Sequence, residues 1–116
     1  MAPTLLIVDD HAWFRAFARA LLEAEGFVVV GEAGTGEGAM RAAIALEPQI
    51  VLVDVVLPDV DGFALCARLT EGDRPPLVVL TSSRAASTYR RRLATSRARG
   101  FIPKNQLTGA ALAALV

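Results

Sequence analysis

The sequence predicts an α/β fold, a parallel sheet with helices on both faces. Three observations lead there. Apolar runs and helical patterns alternate five times along the chain. The run at 50–53 is apolar at every position, as a strand buried on both faces must be. The residues that end these runs are polar and reactive: Asp9-Asp10, Asp54, Thr81 and, just past Pro103, Lys104. In an open parallel sheet, ligands bind beyond the carboxyl ends of the strands.

The elements follow in order. Residues 4–8 form the first strand, ending at two aspartates. Residues 12–25 have helical spacing, with Phe14, Phe17, Ala18, Leu21 and Leu22 on one face and Gly26 as the closing glycine. Residues 27–30 are the second strand. Gly34, Gly36 and Gly38 mark a turn, and 39–46 is a second helix stopped by Pro48. After the third strand at 50–53, Asp61 caps a third helix that runs to Leu69. Residues 77–80 are a fourth buried strand, 85–98 a fourth helix, 101–102 a short fifth strand, and a fifth helix begins at Leu107.

The chain has 116 residues, of which 53% are hydrophobic and 21% charged, enough for one packed domain over 1–116 and against disorder. No linker or repeat divides it. Acids and bases balance at 12 each, so net charge points to no partner. Their distribution is uneven. All 12 acids lie between Asp9 and Asp73, whereas Arg74–Val116 carries eight bases and no acid, so the two parts hold −8 and +8. This is the pattern of an acidic site and a basic face, or equally of arginines that simply solvate one helix. The basic residues at 84, 90, 91, 92, 97 and 99 point to an acidic partner or an acidic patch on a second copy; nucleic acid is the weaker reading, since no recognition helix is visible. Cys66 is the single cysteine, so no internal disulfide or cysteine metal site can form, and it is expected to pack in its helix. Residues 1–8 lack a basic start, and no segment has the roughly 20 apolar residues of a membrane span. A cytoplasmic protein is expected.

The strand ends would gather three carboxylates, a hydroxyl and an ammonium. Two carboxylates about 4 Å apart repel by roughly 1–4 kcal/mol, so one is protonated or a cation sits among them. A few oxygen ligands with room for water and phosphate suit Mg²⁺; Ca²⁺ would want more protein oxygens. A carboxylate there could attack phosphorus, with Mg²⁺ and Lys104 neutralising the incoming charge. Singly, each residue could instead be a cap or a solvated side chain; together, at strand ends, they favour a site. His11 is read as structural or solvated, because Mg²⁺ prefers oxygen, and Trp13 and Phe14 as packing residues. The stretch Gly34-Thr35-Gly36-Glu37-Gly38 is not a P-loop, since no Lys-Ser/Thr follows.

These residues resemble a known family. Val8-Asp9-Asp10-His11, the run from Asp54-Val55-Val56-Leu57-Pro58 to Asp59-Val60-Asp61-Gly62, Leu80-Thr81-Ser82-Ser83 and Gly100-Phe101-Ile102-Pro103-Lys104 are similar to the signature blocks of response-regulator receiver domains of two-component signalling. Their wording most resembles the NarL/FixJ group, whose receivers usually precede a helix-turn-helix DNA-binding domain. The resemblance covers essentially the whole chain. It implies a flavodoxin-like (CheY-like) three-layer sandwich of strand order 2-1-3-4-5. It implies Asp54 as phosphoacceptor, and Mg²⁺ held by Asp10, Asp54 and the Val56 backbone carbonyl, with Asp9 acting largely through water. Lys104 and Thr81 would contact the phosphoryl group, and Phe101 would change rotamer with Thr81. Val56 and Ser83 would flank the hydrolytic water and tune the lifetime. The donor would be a sensor kinase phosphohistidine, a phosphotransfer protein or a small acyl phosphate. The output or dimer face would be the fourth helix, fifth strand and fifth helix, leading to a transcriptional output domain.

Two departures stand out. Asn105 follows the lysine where most of the wider family has proline, a mild change in this group. Arg97 stands where a glycine commonly ends the fourth helix; a left-handed arginine there costs about 1 kcal/mol, unless the helix runs on to Gly100. Two other functions remain open at this point: a phosphate-independent binding module, and a small phosphohydrolase with Asp54 as nucleophile. The second is disfavoured because Val56 stands where the haloacid-dehalogenase type has an aspartate. The fifth helix is expected to be truncated at Val116.

Overall fold

A computed structural model describes residues 2–116. Met1 of the first expected segment lies outside the described residues. The elements are β1 (Thr4–Val8), α1 (Ala12–Ala24), β2 (Val28–Ala33), α2 (Gly36–Leu46), β3 (Ile50–Asp54), α3 (Gly62–Leu69), β4 (Leu77–Ser82), α4 (Arg90–Thr95), β5 (Gly100–Pro103) and α5 (Gly109–Ala113). Short 3₁₀ turns precede α4 (Ala86–Tyr89) and α5 (Lys104–Gln106). The five strands form one sheet of order β2-β1-β3-β4-β5, and every pairing is parallel.

Strand periodicity divides the core. Leu6, Val8, Val51, Val53, Val78 and Leu80 point to one face, where they meet Phe63, Leu65, Cys66, Leu69 and Tyr89. Leu5, Ile7, Ile50, Leu52, Val79 and Ile102 point to the other, against Phe14, Ala18, Leu22 and Leu112. Each such side chain contributes about 1.5–3 kcal/mol of burial, which is why the central strands read as unbroken apolar runs.

Helix ends follow local chemistry. Gly26, at φ +96°, takes the left-handed turn after α1. The α2 helix starts earlier than its apolar pattern, because Thr35 Oγ1 accepts the Gly38 N–H at 3.0 Å. Gly36 and Gly38 are therefore first-turn residues of a helix and not part of a turn before it. Asp61 Oδ1 accepts the N–H groups of Phe63 (2.8 Å) and Ala64 (3.1 Å), the expected cap of α3.

The fourth helix departs most from expectation. It covers six residues, starts from a 3₁₀ turn and buries none of its side chains. The Ser96 hydroxyl donates to the Leu93 carbonyl at 3.0 Å, and Ser96 itself is extended. Such side-chain bonds compete with helix propagation. The helix thus neither runs to Gly100 nor ends on a left-handed Arg97: among the described residues, Glu47 is the only non-glycine with positive φ. On α1, Phe14 is buried, but Phe17 is 51% and Trp13 68% exposed, so the apolar face is narrower than its spacing suggested and Trp13 packs only edge-on against Phe14, 5.8 Å between ring centres.

Candidate functional site

Parallel register brings the polar strand ends together. Val8 pairs with Val53, which sets Asp9 beside Asp54. Asp54 pairs with Thr81, and Ser82 with Pro103, which sets Lys104 beyond the same edge. The ligand atoms of Asp9, Asp10, His11 and Asp54 all fall within 4.8 Å of one another, and these four residues could hold a metal ion.

Asp9 and Asp54 are buried, Asp10 partly exposed. The Lys104 ammonium bridges the two buried carboxylates, 2.6 Å from Asp9 Oδ2 and 3.0 Å from Asp54 Oδ2. The approach to Asp9 has the distance of an ion pair without hydrogen-bond alignment, and Asp9 Oδ2 has no hydrogen-bond partner. Lys104 also lies 4.5 Å above the Phe14 ring, a cation–π contact that holds it over the site.

The charges oppose one another. Burial pushes the Asp54 carboxyl above its ordinary range, against the Val56 N–H (3.1 Å to Asp54 Oδ1) and Lys104, which pull it down; the charge of Asp9 adds to the rise. Burial alone would lower the Lys104 ammonium, but contact with Asp9 and Asp54 more than offsets this, and its pKa is raised. A divalent cation would relieve the same strain on Asp54.

The Thr81 hydroxyl is fully buried and has no hydrogen-bond partner. An orphaned hydroxyl next to a buried carboxylate points to a polar group that the site receives. An open cleft of about 570 Å³, bordered by Trp13, Phe17, Ser83 and Asn105, leads to Lys104. Val56 is 63% exposed beside the site, and Ser83 is exposed as well.

The loop from β3 to α3 is tightly tied. An isolated bridge joins Val56 to Asp61, and Gly62 N–H donates to the Val55 carbonyl at 2.7 Å. Asp59 accepts the N–H groups of Gly36 (2.8 Å) and Glu37 (3.0 Å), fastening the loop to the start of α2. These bonds hold its carboxyl below the ordinary range. Asp61 also pairs with Arg92, which stacks 4.3 Å over Phe63. Burial raises the Asp61 carboxyl less than Arg92 and the cap bonds lower it.

Phe101 is half-buried, with its ring 5.8 Å from that of Tyr89, which in turn is 5.8 Å from Phe63. The Tyr89 hydroxyl meets Ser82 Oγ at 3.2 Å in the core. Phe101 and Tyr89 are thus neighbours in one aromatic cluster. Sequence reading missed Tyr89, whose pattern within a polar helix gave no sign of burial. It also set aside His11, whose Nδ1 lies 3.2 Å from Asp9 and 3.1 Å from Asp10. Cys66 is buried as expected, and burial pushes its thiol up.

The basic residues divide. Arg92 pairs with Asp61, Arg97 reaches the Thr70 carbonyl at 3.4 Å and Arg99 the Leu115 carbonyl at 2.8 Å. Arg84, Arg90 and Arg91 are exposed and make no ion pair among the described residues. No helix among those residues is long and apolar enough to cross a membrane.

Comparison with known proteins agrees with this fold. The family model of the response regulator receiver domain matches residues 5–115. The virulence-factor transcription regulator BvgA of Bordetella pertussis is 35% identical over 102 residues, covering 88% of this chain and 49% of that protein. The transcriptional regulatory protein YdfI of Bacillus subtilis is 35% identical over 79 residues, 67% of this chain and 37% of that protein. The chain thus spans about half, or less, of these relatives. The signal receiver domain of the response regulator NarL from Mycobacterium tuberculosis superposes with a TM-score of 0.82 at 28% identity, covering 98% of this chain and 96% of that one. With its 2-1-3-4-5 parallel sheet and the acidic cluster at the sheet's carboxyl edge, the chain belongs to the response regulator receiver domain family of two-component signalling.

Proposed function

We propose that the chain is a phosphorylation-dependent switch that accepts a phosphoryl group on Asp54 from a sensor histidine kinase, a phosphotransfer protein or a small acyl phosphate. The carrying observation is the buried Asp54 carboxylate with Lys104 at 3.0 Å and the unpartnered Thr81 hydroxyl in the adjoining register position.

Three carboxylates in so small a space fit a hard divalent cation, and Mg²⁺ is the ion proposed. Asp10, Asp54 and the Val56 carbonyl would hold it, with Asp9 acting through water. When bound, it neutralises charge on the phosphoryl oxygens. The protein's own groups do the rest. An Asp54 oxygen forms the new O–P bond as the bond from phosphorus to the donor breaks. Lys104, already anchored by Asp9 and Phe14, contacts a phosphoryl oxygen. Thr81 gains the hydrogen-bond partner it otherwise lacks.

That gain biases the switch. Thr81 and Lys104 bind the phosphoryl group only in the modified state, so the equilibrium moves toward the conformation that permits those contacts. Displacement of Thr81 opens space for Phe101, and Tyr89 is the side chain that Phe101 must displace or repack. The change would then reach α4, β5 and α5, and through them a transcriptional output domain of the kind carried by whole regulators. The self-assisted transfer makes the chain a phosphoacceptor and not a turnover enzyme; a cytoplasmic location fits such a role.

Intact-mass measurement after treatment with acetyl phosphate and Mg²⁺ tests this. One phosphoryl group per chain is expected, absent in Asp54→Ala. Multiple turnover without a lasting phosphoprotein would favour a phosphohydrolase. No modification, with partner binding intact, would favour a phosphate-independent module.

A further inference from the structure

Arg15 of α1 lies outside the acidic cluster but grips the backbone that carries it. Its Nη1 donates to the Asp9 main-chain carbonyl at 2.6 Å. The Asp9 N–H makes the last bond to the β2 side, to the Ala33 carbonyl at 3.0 Å. Beyond it the chain leaves the sheet, and among the described residues no backbone N–H reaches the Asp9 carbonyl. Asp9 is fully buried, and a buried carbonyl without a partner is costly. The guanidinium of Arg15 is the group that satisfies it.

That guanidinium is itself held in place. Glu32 Oε1, on β2, accepts Arg15 Nε at 3.1 Å. The second oxygen of Glu32 accepts Arg19 Nη1 at 2.9 Å, so the carboxylate is fixed from two sides. Gly34 leaves the space: a Cβ there would stand 3.3 Å from Arg15 Nη1. A planar fork bonded through Nε to one acceptor and through Nη1 to another is fixed in orientation, which a single ammonium would not be.

The carbonyl it holds lies in the planar peptide that joins Asp9 to Asp10. Fixing that oxygen fixes the plane from which both residues project. The Asp9 carboxylate faces Lys104 at 2.6 Å and accepts the His11 N–H at 2.8 Å. Asp10 is partly exposed, and its side chain pairs with His11 alone. Its placement therefore depends on the peptide before it.

We infer that Arg15 is a positioning residue for the acidic pocket: steered by Glu32, it fixes the peptide between Asp9 and Asp10 and so sets the spacing of the carboxylates that take the divalent cation. The inference rests on the Mg²⁺ pocket proposed above and adds to it a residue that touches neither the ion nor the phosphoryl group.

Arg19 supplies the comparison. It shares Glu32 with Arg15, but its other contacts are Glu23 at 3.5 Å and the Val29 carbonyl at 3.4 Å, away from Asp9. Arg15→Met and Arg19→Met each remove one arm from Glu32, and only the first releases the Asp9 carbonyl. Mg²⁺ is titrated into the whole chain and both variants by calorimetry. Hydrogen exchange of the His11 amide, which is bonded to the Asp9 carboxylate, is followed in the metal-free proteins. Arg15→Met should weaken Mg²⁺ about tenfold and quicken the His11 exchange, whereas Arg19→Met should leave Mg²⁺ within about twofold and the exchange unchanged. Glu32→Ala, which leaves the guanidinium unsteered, should move both readings in the direction of Arg15→Met and serves if that variant does not fold. Unchanged Mg²⁺ affinity in Arg15→Met, or equal losses in Arg15→Met and Arg19→Met, overturns the inference while the pocket stands. A wild-type chain that binds no Mg²⁺, or binds it no better than Asp54→Asn, removes the pocket and with it this role of Arg15.

Discussion

Gly62 backs directly onto the backbone of Asp54: a Cβ there would run into the Asp54 carbonyl oxygen and stand 2.7 Å from the Val55 Cα. The neighbours it would meet are main chain, which cannot yield as a side-chain tip can. Gly62 is thus the residue that lets α3 start immediately behind the strand carrying the candidate nucleophile. Gly62→Ala is expected to cost about 1–3 kcal/mol by overpacking and to slow phosphorylation by acetyl phosphate. Thermal unfolding and intact-mass time courses check both; wild-type values for each would show that the loop has room to spare.

The pocket's charges predict how a cation acts on stability. Burial favours the neutral form of Asp54, so its folded pKa lies above the unfolded one. Such a group stabilises the fold more as pH falls through the folded pKa, and its ionised form is a cost at neutral pH. Asp54→Asn should therefore raise the melting temperature of the metal-free chain. Mg²⁺ at 100 times its Kd should stabilise the wild type by about 2.7 kcal/mol and the variant far less. Equal stabilisation of both by Mg²⁺ would place the ion elsewhere.

Asp59 works in the opposite sense. Its carboxylate is held below the ordinary range by the Gly36 and Glu37 N–H groups. The stability it contributes is fully present above the unfolded carboxylate pKa, about 4, and disappears as pH falls through the lower folded value. Asp59→Ala should lower the melting temperature at pH 7, and the difference from wild type should shrink at strongly acidic pH. A gap that stays constant with pH would mean that the two bonds to α2 are not what Asp59 contributes.

Beside the proposed phosphoryl group stand Val56 and Ser83, neither of which carries a carboxylate or an amide. Val56 is too apolar to orient a water, and a serine hydroxyl does so weakly. Slow self-dephosphorylation is expected, with loss of phosphate followed by intact mass. Val56→Asn should accelerate it several-fold; an unaltered rate would remove these two positions from the lifetime argument.

The exposed Arg90 and Arg91 of α4, with Arg84 before it, put positive charge on the proposed output surface. Association through it with an acidic partner, or with the acidic part of a second copy, should weaken steeply between low and physiological salt, since exposed charges are screened over about 8–10 Å. Sedimentation of phosphorylated and unmodified chain across a salt series reads this directly. Association that ignores salt would assign the interface to apolar contacts.

By itself the sequence determined the layers and the edge where chemistry collects. Short β-branched apolar runs such as 50–53, bounded by turn signals, read as strands buried on both faces, and in a parallel sheet the polar residues that end them share one edge. Strand order, carried by the family resemblance, agrees with the structure. What only the tertiary structure decided lies in contacts between residues far apart in the chain. Lys104 sits between Asp9 and Asp54 because three strands hold them in register. Tyr89 becomes a core residue because Phe63 and Phe101 arrive from other elements. The fourth helix is short because Ser96 finds a backbone partner and only Leu93 of its apolar side chains packs against the core. Local pattern encodes periodicity and burial, whereas the distance between two charges depends on packing that no single segment contains.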